Sequence, residues 1–202
     1  AAAEYVAGYT SMIRREPLGI VAGICPWNYP LFMAVWKMGP ALAAGNVQII
    51  KPAEQTPLTM LRFVELAQEV LPPGVLQVVT GDGVPVGDAL VRHKDIALVS
   101  LTGDSATGKR IAEAAAGNLK RVHLELGGKA PFIVYDDADL DAAARGAVAG
   151  GYINAGQDCT AATRAIVHES IHDEFVAALV EQAGKLRPGA PDDEDAFYGS
   201  MN

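Results

Sequence analysis

Leu18-Gly19-Ile20-Val21-Ala22-Gly23-Ile24 is a short, β-rich apolar run, and its repetition downstream sets the fold. Comparable runs stand at Val47–Ile50, Leu76–Thr80 and Ala97–Leu101, with helical spacing between them. Alternation of this kind marks βαβ units that build a parallel sheet with helices on both faces, an α/β architecture. Thr56 with Pro57 reads as an N-cap and a first-turn proline. Leu58, Leu61, Val64 and Leu71 then recur at helical spacing until Pro72-Pro73-Gly74 stops the segment. Asp104 reads as the cap of a further helix through Lys109 and Glu113.

After Glu125 the texture changes. Pro131–Tyr135 reads as a strand, Asp139–Ile153 as an alanine-rich helix, Thr163–His168 as a strand and Ile171–Leu186 as an amphipathic helix. A boundary is expected near Leu126–Gly128, where two glycines free the backbone to cross from one unit to the next. Pro188–Asp195 is an acidic, loop-like stretch.

Composition narrows the function. Half of the 202 residues are apolar and a fifth are charged, with 21 glycines and 12 prolines to punctuate short elements. A net charge of -8 argues against nucleic acid or an anionic membrane surface as the partner, because phosphate binding needs a basic footprint. No apolar run approaches the roughly 18 residues of a membrane span. The two cysteines lie far apart in unlike contexts. They read as reduced thiols of a cytoplasmic protein rather than a disulfide, and no metal site is expected. The chain opens at Ala1-Ala2-Ala3 without a methionine or a leader and stops abruptly, so it is expected to be the interior of a longer protein.

Three runs carry chemistry. Cys159 stands in Asn154-Ala155-Gly156-Gln157-Asp158-Cys159-Thr160, Glu125 in Leu124-Glu125-Leu126-Gly127-Gly128-Lys129, and Asn28 in Pro26-Trp27-Asn28-Tyr29-Pro30. A thiolate can attack a carbonyl, and small neighbours leave room for a planar substrate; a lone cysteine can equally be a buried, inert one. Asn28 can donate to a developing oxyanion or simply serve a turn. Glu125, flanked by leucines in an apolar strand, is expected to be desolvated into the range of a general base. A salt bridge to Arg121 or Lys129 is its structural alternative, and Lys129 is left as structural. Cys25 reads as a small core residue, at most brushing a bound cofactor.

In this order the three runs resemble the NAD(P)-dependent aldehyde dehydrogenase superfamily over essentially the whole chain. The resemblance implies a Rossmann-like NAD-binding domain over residues 16–126 and the start of a second α/β catalytic domain over 127–202. It makes residues 1–15 the remnant of an oligomerisation strand, seen in Tyr5–Arg15, of a homo-oligomer. Family members are more than twice as long, so the chain looks like their middle portion. The chemistry implied is oxidation of a small aldehyde by NAD through a thiohemiacetal and a thioester on Cys159. Asn28 and the backbone N–H of Cys159 would hold the oxyanion, and Glu125 would activate the hydrolytic water.

On the cofactor side, Lys51-Pro52-Ala53-Glu54 follows the second strand, where a lysine and an acid can both reach the adenosine ribose. A carboxylate at Glu54 favours NAD over NADP, and a solvated charge pair is its alternative. Gly81-Asp82-Gly83 and Thr102-Gly103-Asp104 follow further strand ends, where an open parallel sheet places its ligand. The resemblance adds Pro26, Trp27, Thr107, Leu126 and Gly127 to that site. The GxGxxG fingerprint is absent, as in this family. Most relatives carry serine where Asp104 stands at a helix start facing the pyrophosphate. A carboxylate there is a good cap and a poor neighbour for phosphate, so either the cofactor shifts or the side chain turns away. Tyr198-Gly199-Ser200-Met201 also departs from the usual Leu-Gly-Pro type turn.

Tyr9–Arg15 and Gly156–Ala162 look most like the γ-aminobutyraldehyde and betaine-aldehyde branch. The resemblance sets Tyr29 and Trp36 near the acyl tunnel, where aromatic faces attract ammonium groups; core packing is the alternative. Asp158 would attract a cationic substrate while opposing thiolate formation next door. Lys37 resembles a charge-relay position in that branch and could equally be a surface lysine. A reading from another class is a truncated, non-catalytic NAD-binding fragment. Acyl transfer to coenzyme A fits poorly, having no use for a water-activating Glu125.

Overall fold

The computed structural model describes residues 2–202. The chain divides into two compact units, one ending at Glu125 and the other running from Leu126 to Asn202.

The first unit opens with an antiparallel hairpin of β1 (Ala2–Val6) and β2 (Tyr9–Met12). A single strand was expected over this stretch; Gly8, at φ 82°, makes the reversal that splits it. Tyr5, Val6, Tyr9 and Met12 are all exposed on it. Then follow β3 (Ile20–Ile24), α1 (Pro30–Ala43), β4 (Val47–Lys51), α2 (Leu58–Ala67), β5 (Leu76–Val78), α3 (Asp88–Arg92), β6 (Ile96–Gly103), α4 (Ser105–Ala116) and β7 (Arg121–Leu126). The sheet order is β5-β4-β3-β6-β7. β3 pairs in parallel with both β4 and β6, and β4 with β5. The expected α/β class is therefore observed. The chain winds outward from β3 to β5 and then returns to the other side of β3, leaving a switch point between β3 and β6, where such sheets place ligands.

Side-chain alternation sends Cys25 and Ile50 toward α1 and α2, into a core with Ala34, Met38, Met60, Val64 and Leu76. Gly23 lies on that face too. A Cβ there would stand 2.7 Å from Ile50 Cδ1, 2.9 Å from Gln48 Nε2 and 3.2 Å from Lys37 Cδ. The bare backbone thus gives the Lys37 stem room to cross β3.

α2 differs from expectation at both ends. Thr56 does not cap it: the Thr56 Oγ1 is buried without a hydrogen-bond partner, while Leu61 N–H donates to Pro57 O. Proline's fixed φ starts the turn without a side-chain acceptor. Leu71 lies beyond the helix, which ends at Ala67 with Leu71 N–H returning to the Ala67 carbonyl.

In the second unit β8 (Pro131–Val134) pairs in parallel with β9 (Arg164–Val167), and α5 (Leu140–Tyr152) crosses between them. α6 (His172–Ala183) closes a core in which Phe175 packs with Val134 and Ala147. Asp139 caps α5 by accepting from Ala142 N–H at 3.0 Å. Neither Gly127 nor Gly128 takes a left-handed φ, so the crossing between units uses ordinary backbone angles rather than the freedom expected of glycine there.

Gly23→Ala is expected to destabilise the chain by about 1–3 kcal/mol through overpacking of the β3 and α1 contact. Urea unfolding monitored by circular dichroism checks this; an unchanged midpoint would contradict the close approach.

Candidate active site

The first unit gathers its candidate residues around the carboxyl ends of the sheet strands. At the end of β4, Lys51 is fully buried, and its Nζ donates to Pro52 O at 3.0 Å and to Glu54 Oε2 at 3.3 Å. Pro52 and Ala53 are buried beside it. Glu54 is half-exposed. Its carboxyl is held below the ordinary range, first by its own backbone N–H and then, against a desolvation cost, by Lys51 and the Gly83 backbone. The solvated-pair alternative fails on the lysine, whose ammonium has no access to water.

Beside this pair, Ile24, Gly83, Val84, Gly87, Val91 and Ile111 line much of an apolar cavity of about 180 Å³ that also reaches Thr107. Val84, Val91 and Ile111 were not singled out in the sequence. Their signal is spatial: a short helical turn at Gly83–Gly87 and α3 face α4 only once the sheet is wound. Gly81 shapes the approach, at φ 135° with Val86 packed where a Cβ would sit.

Asp104 resolves the question its sequence raised. Its Oδ1 accepts from Ala106 N–H and Thr107 N–H, both at 2.9 Å, and its Oδ2 accepts from Thr107 Oγ1 at 2.6 Å. The carboxylate is folded back onto the start of α4, occupying the amides a phosphate would otherwise use. The Thr107 hydroxyl and then its amide hold this carboxyl below its ordinary value. Gly103 ends β6 just before it.

Asn28 is half-buried in the bend between β3 and α1, with Pro26 and Trp27 ahead of it and Tyr29 leading into the helix. α1 then presents an aromatic ladder: Tyr29 meets Phe32 edge-on at 6.4 Å, and Phe32 meets Trp36 at 4.9 Å. Trp36 is 60% exposed, so core packing does not explain it. Phe32 was missed in the sequence, although Tyr29, Phe32 and Trp36 share the helical spacing that would have found it.

Lys37, on the next position, is buried rather than a surface residue. Its Nζ donates to Thr102 Oγ1 at 2.7 Å and Ser100 Oγ at 3.1 Å. Burial pushes its pKa down, against attraction from Cys25 and Glu125. Cys25 is the core residue expected, its thiol pushed up to about 11 by burial.

Glu125 lies near the end of the edge strand β7 and is half-exposed, where burial was expected from its leucine neighbours. Side-chain alternation turns Glu125 to the face opposite Leu124 and Leu126, so it stays open to water although the flanking sequence is apolar. Its close neighbour is His123, whose Nε2 lies 3.3 Å from Oε1 and would form an ion pair only when the imidazole is protonated, rather than Arg121 or Lys129. Leu126 and Gly127 begin the second unit.

In that unit Cys159 is an exposed free thiol. A few residues before it Asn154, Ala155 and Gly156 take consecutive left-handed φ values of 51°, 58° and 75°. Gln157 clasps this turn, donating from its backbone N–H and its side chain to Asn154 O. Asp158 is turned to Thr160, accepting from its N–H and hydroxyl at 2.6 Å each. Among the described residues no cluster of three or more His, Cys, Asp or Glu could hold a metal ion, and no helix is long and apolar enough to cross a membrane.

The sequence profile of the aldehyde dehydrogenase family matches residues 2–202. A phenylacetaldehyde dehydrogenase from Pseudomonas fluorescens is 50% identical over 189 residues, covering 93% of this chain and 38% of that protein. Among solved structures, betaine aldehyde dehydrogenase from Staphylococcus aureus in complex with NAD+ is 46% identical with a TM-score of 0.89, over 92% of this chain and 37% of that one. A mutant of aldehyde dehydrogenase C from Pseudomonas syringae, complexed with NAD+ and octanal, is 41% identical with a TM-score of 0.90, over 93% and 39%. The chain thus spans less than half the length of these relatives.

The lowered carboxyl of Asp104 contributes stability above its ordinary value of 3.8, and that contribution is lost as pH falls through the lowered folded value. Asp104→Asn keeps a capping acceptor but does not titrate there. In thermal melts from pH 7 down to about 3, the wild type is expected to lead the variant at neutral pH, with the gap closing at the acid end.

Proposed function

The chain belongs to the aldehyde dehydrogenase family, and on that premise we propose that it carries the cofactor-binding unit and the nucleophile of an NAD-dependent enzyme. That enzyme oxidises a small, amino-bearing aldehyde to its carboxylic acid. The observation that carries the cofactor reading is the buried Lys51 bonded to the carboxylate of Glu54 beside an apolar cavity. Residues 16–126 form the NAD-binding domain, and 127–202 the first part of the catalytic domain. Residues 1–15 serve subunit contacts in a homo-oligomer, a reading supported by the exposed Tyr5, Tyr9 and Met12. The exposed free thiol of Cys159 supports a reducing, cytoplasmic setting.

The residues present fit the adenosine half of the dinucleotide. Ile24, Val84, Val91 and Ile111 offer apolar walls for a planar base. Glu54, held in place by the buried Lys51, would accept from the ribose 2′-hydroxyl, and the same carboxylate would repel a 2′-phosphate. The resemblance adds Pro26, Trp27, Gly81, Gly103, Thr107, Leu126 and Gly127 as further residues that would contact the dinucleotide. Bound NAD supplies the acceptor for the hydride that leaves the substrate carbon.

The Cys159 thiolate attacks the aldehyde carbon, and the carbonyl oxygen becomes an alkoxide. The Asn28 side-chain amide and the Cys159 backbone N–H donate to that oxygen. Loss of hydride leaves an acyl thioester on Cys159. Glu125 then takes a proton from water, the hydroxyl adds to the thioester carbon, and the acid departs as the thiolate is restored. The exposed ladder of Tyr29, Phe32 and Trp36 supports an ammonium-bearing substrate, because each aromatic face contributes about 0.5–2 kcal/mol toward a cation.

A second reading, a non-catalytic NAD-binding fragment, is favoured by the 38% share of the relative that the chain spans. NADH formation with 4-aminobutyraldehyde and with phenylacetaldehyde, measured for this chain and for a form extended to the relatives' length, separates the two. The extended form is expected to turn over, with preference for the amino aldehyde. Cys159→Ala should abolish activity, and Glu125→Ala should stall it after one turnover. Preference for phenylacetaldehyde would overturn the substrate assignment, and unchanged steady turnover in Glu125→Ala would overturn the base. Asp104→Ser is expected to tighten NAD binding by about two- to fivefold, as removal of a charge worth 0.3–1 kcal/mol beside a helix terminus implies.

A further inference from the structure

Lys37 is 7% exposed, and both hydrogen bonds of its ammonium, to Thr102 Oγ1 and Ser100 Oγ, go to hydroxyls. Hydroxyls solvate a cation without cancelling its charge. Among the described residues no carboxylate forms an ion pair with Lys37. Glu125 attracts it from beyond ion-pair range. An ammonium has three N–H groups, and the third has no acceptor among the described residues. Buried ions are ordinarily paired as well as hydrogen-bonded, because leaving water is costly. This one lacks a counter-charge.

A cavity of about 360 Å³ opens beside it, with Lys37, Ser100 and His123 in one part of its wall and Leu18, Val21 and Leu98 in the rest. Ligand cavities start at about 300 Å³. The Ser100 hydroxyl gripped by Lys37 also lies 3.0 Å from His123 Nδ1, so the ammonium stands at the polar end of this cavity. Trp36, itself largely exposed, brings an indole to the wall. Asn46 is scaffold there: its Oδ1 accepts from Leu18 and Gly19 N–H, and its Nδ2 donates to Ala41 O. We propose that the cavity is a binding site for a small aryl monocarboxylate, whose carboxylate meets the Lys37 ammonium while its ring lies against Val21, Leu98 and Trp36.

The chemistry of the wall selects the class of ligand. One buried ammonium neutralises one negative charge, and the few polar groups beside it cannot satisfy the many oxygens of a phosphate. The apolar remainder suits a flat hydrocarbon body and opposes a second charged group, which would have to leave water to enter. A zwitterion such as 4-aminobutyrate is therefore excluded, its own ammonium being forced into an apolar wall near a like charge. The site lies apart from the cofactor groove, since it shares no lining residue with the cavity between Gly83 and Ile111. It consequently stands or falls independently of the NAD reading. Aldehyde oxidation releases a carboxylic acid, so ligand and product belong to one chemical class.

Calorimetric titration of this chain with benzoate, benzamide and 4-aminobutyrate at constant ionic strength tests the site. Benzoate is expected to bind with a Kd of about 0.1–5 mM, the range open to so small a ligand. Its neutral isostere benzamide should bind at least tenfold more weakly, and 4-aminobutyrate not at all. Lys37→Met keeps the apolar stem and removes the charge, so it should abolish the preference for benzoate over benzamide. A preference that survives in Lys37→Met, or no benzoate binding to the wild type, overturns the proposal. A readout on the wild type alone does not depend on the variant folding: nuclear Overhauser contacts from the benzoate ring are expected to the Leu98 methyls and the Trp36 indole. Contacts confined to other residues overturn the site. Binding by this chain but not by the form extended to the relatives' length overturns it as well, because flanking chain then fills the cavity.

Discussion

A lysine ammonium buried under a parallel sheet is the constraint around which the first unit is arranged. Removing such an ion from water costs several kcal/mol, and charge-assisted hydrogen bonds of about 1.5–3 kcal/mol each must offset it. Lys37 finds them in Ser100 and Thr102 on β6, across the central strand from its own helix. Its stem reaches them only because Gly23 has no side chain. One contact therefore ties together α1, β3 and β6, the elements that border the switch point. It also fixes Ser100, and through Ser100 the edge strand that bears Glu125.

Two other acids near the sheet's carboxyl ends show how local partners divide similar groups between roles. Glu54 is held ionised by backbone amides and a buried lysine, yet keeps half its surface outward, as a ribose acceptor must. Asp104 is likewise held below its ordinary value but spends its acceptors on the start of its own helix. The same functional group supports recognition at one strand end and opposes it at the next. The difference lies in where the first turn of the following helix begins.

Most of the sheet was legible in the sequence because β3, β4, β5 and β6 are short apolar runs separated by helical spacing, and burial on both faces leaves few other readings. Asp104 and Asp139 were legible as caps because that role is local. Glu125 was misread for the opposite reason. Leucine neighbours say nothing of the burial of Glu125 itself, because adjacent side chains of a strand face opposite sides, and what covers each side is a long-range property. Lys37 was ambiguous because nothing in its own segment announces hydroxyls more than sixty residues away. Thr56 failed as a cap because proline made the first turn without it. Left-handed backbone at Ala155 has no sequence signal at all, since alanine seldom adopts it.

The contrast between the two sulfurs has a practical corollary. Cys25 is enclosed and keeps its proton well past neutral pH, whereas Cys159 stands open to solvent. A thiol-selective electrophile added to the folded chain will therefore find a single handle. A fluorophore or spin label can be installed at the nucleophile's position without engineering, and the unfolding of the first unit can be timed by when the second sulfur becomes alkylatable.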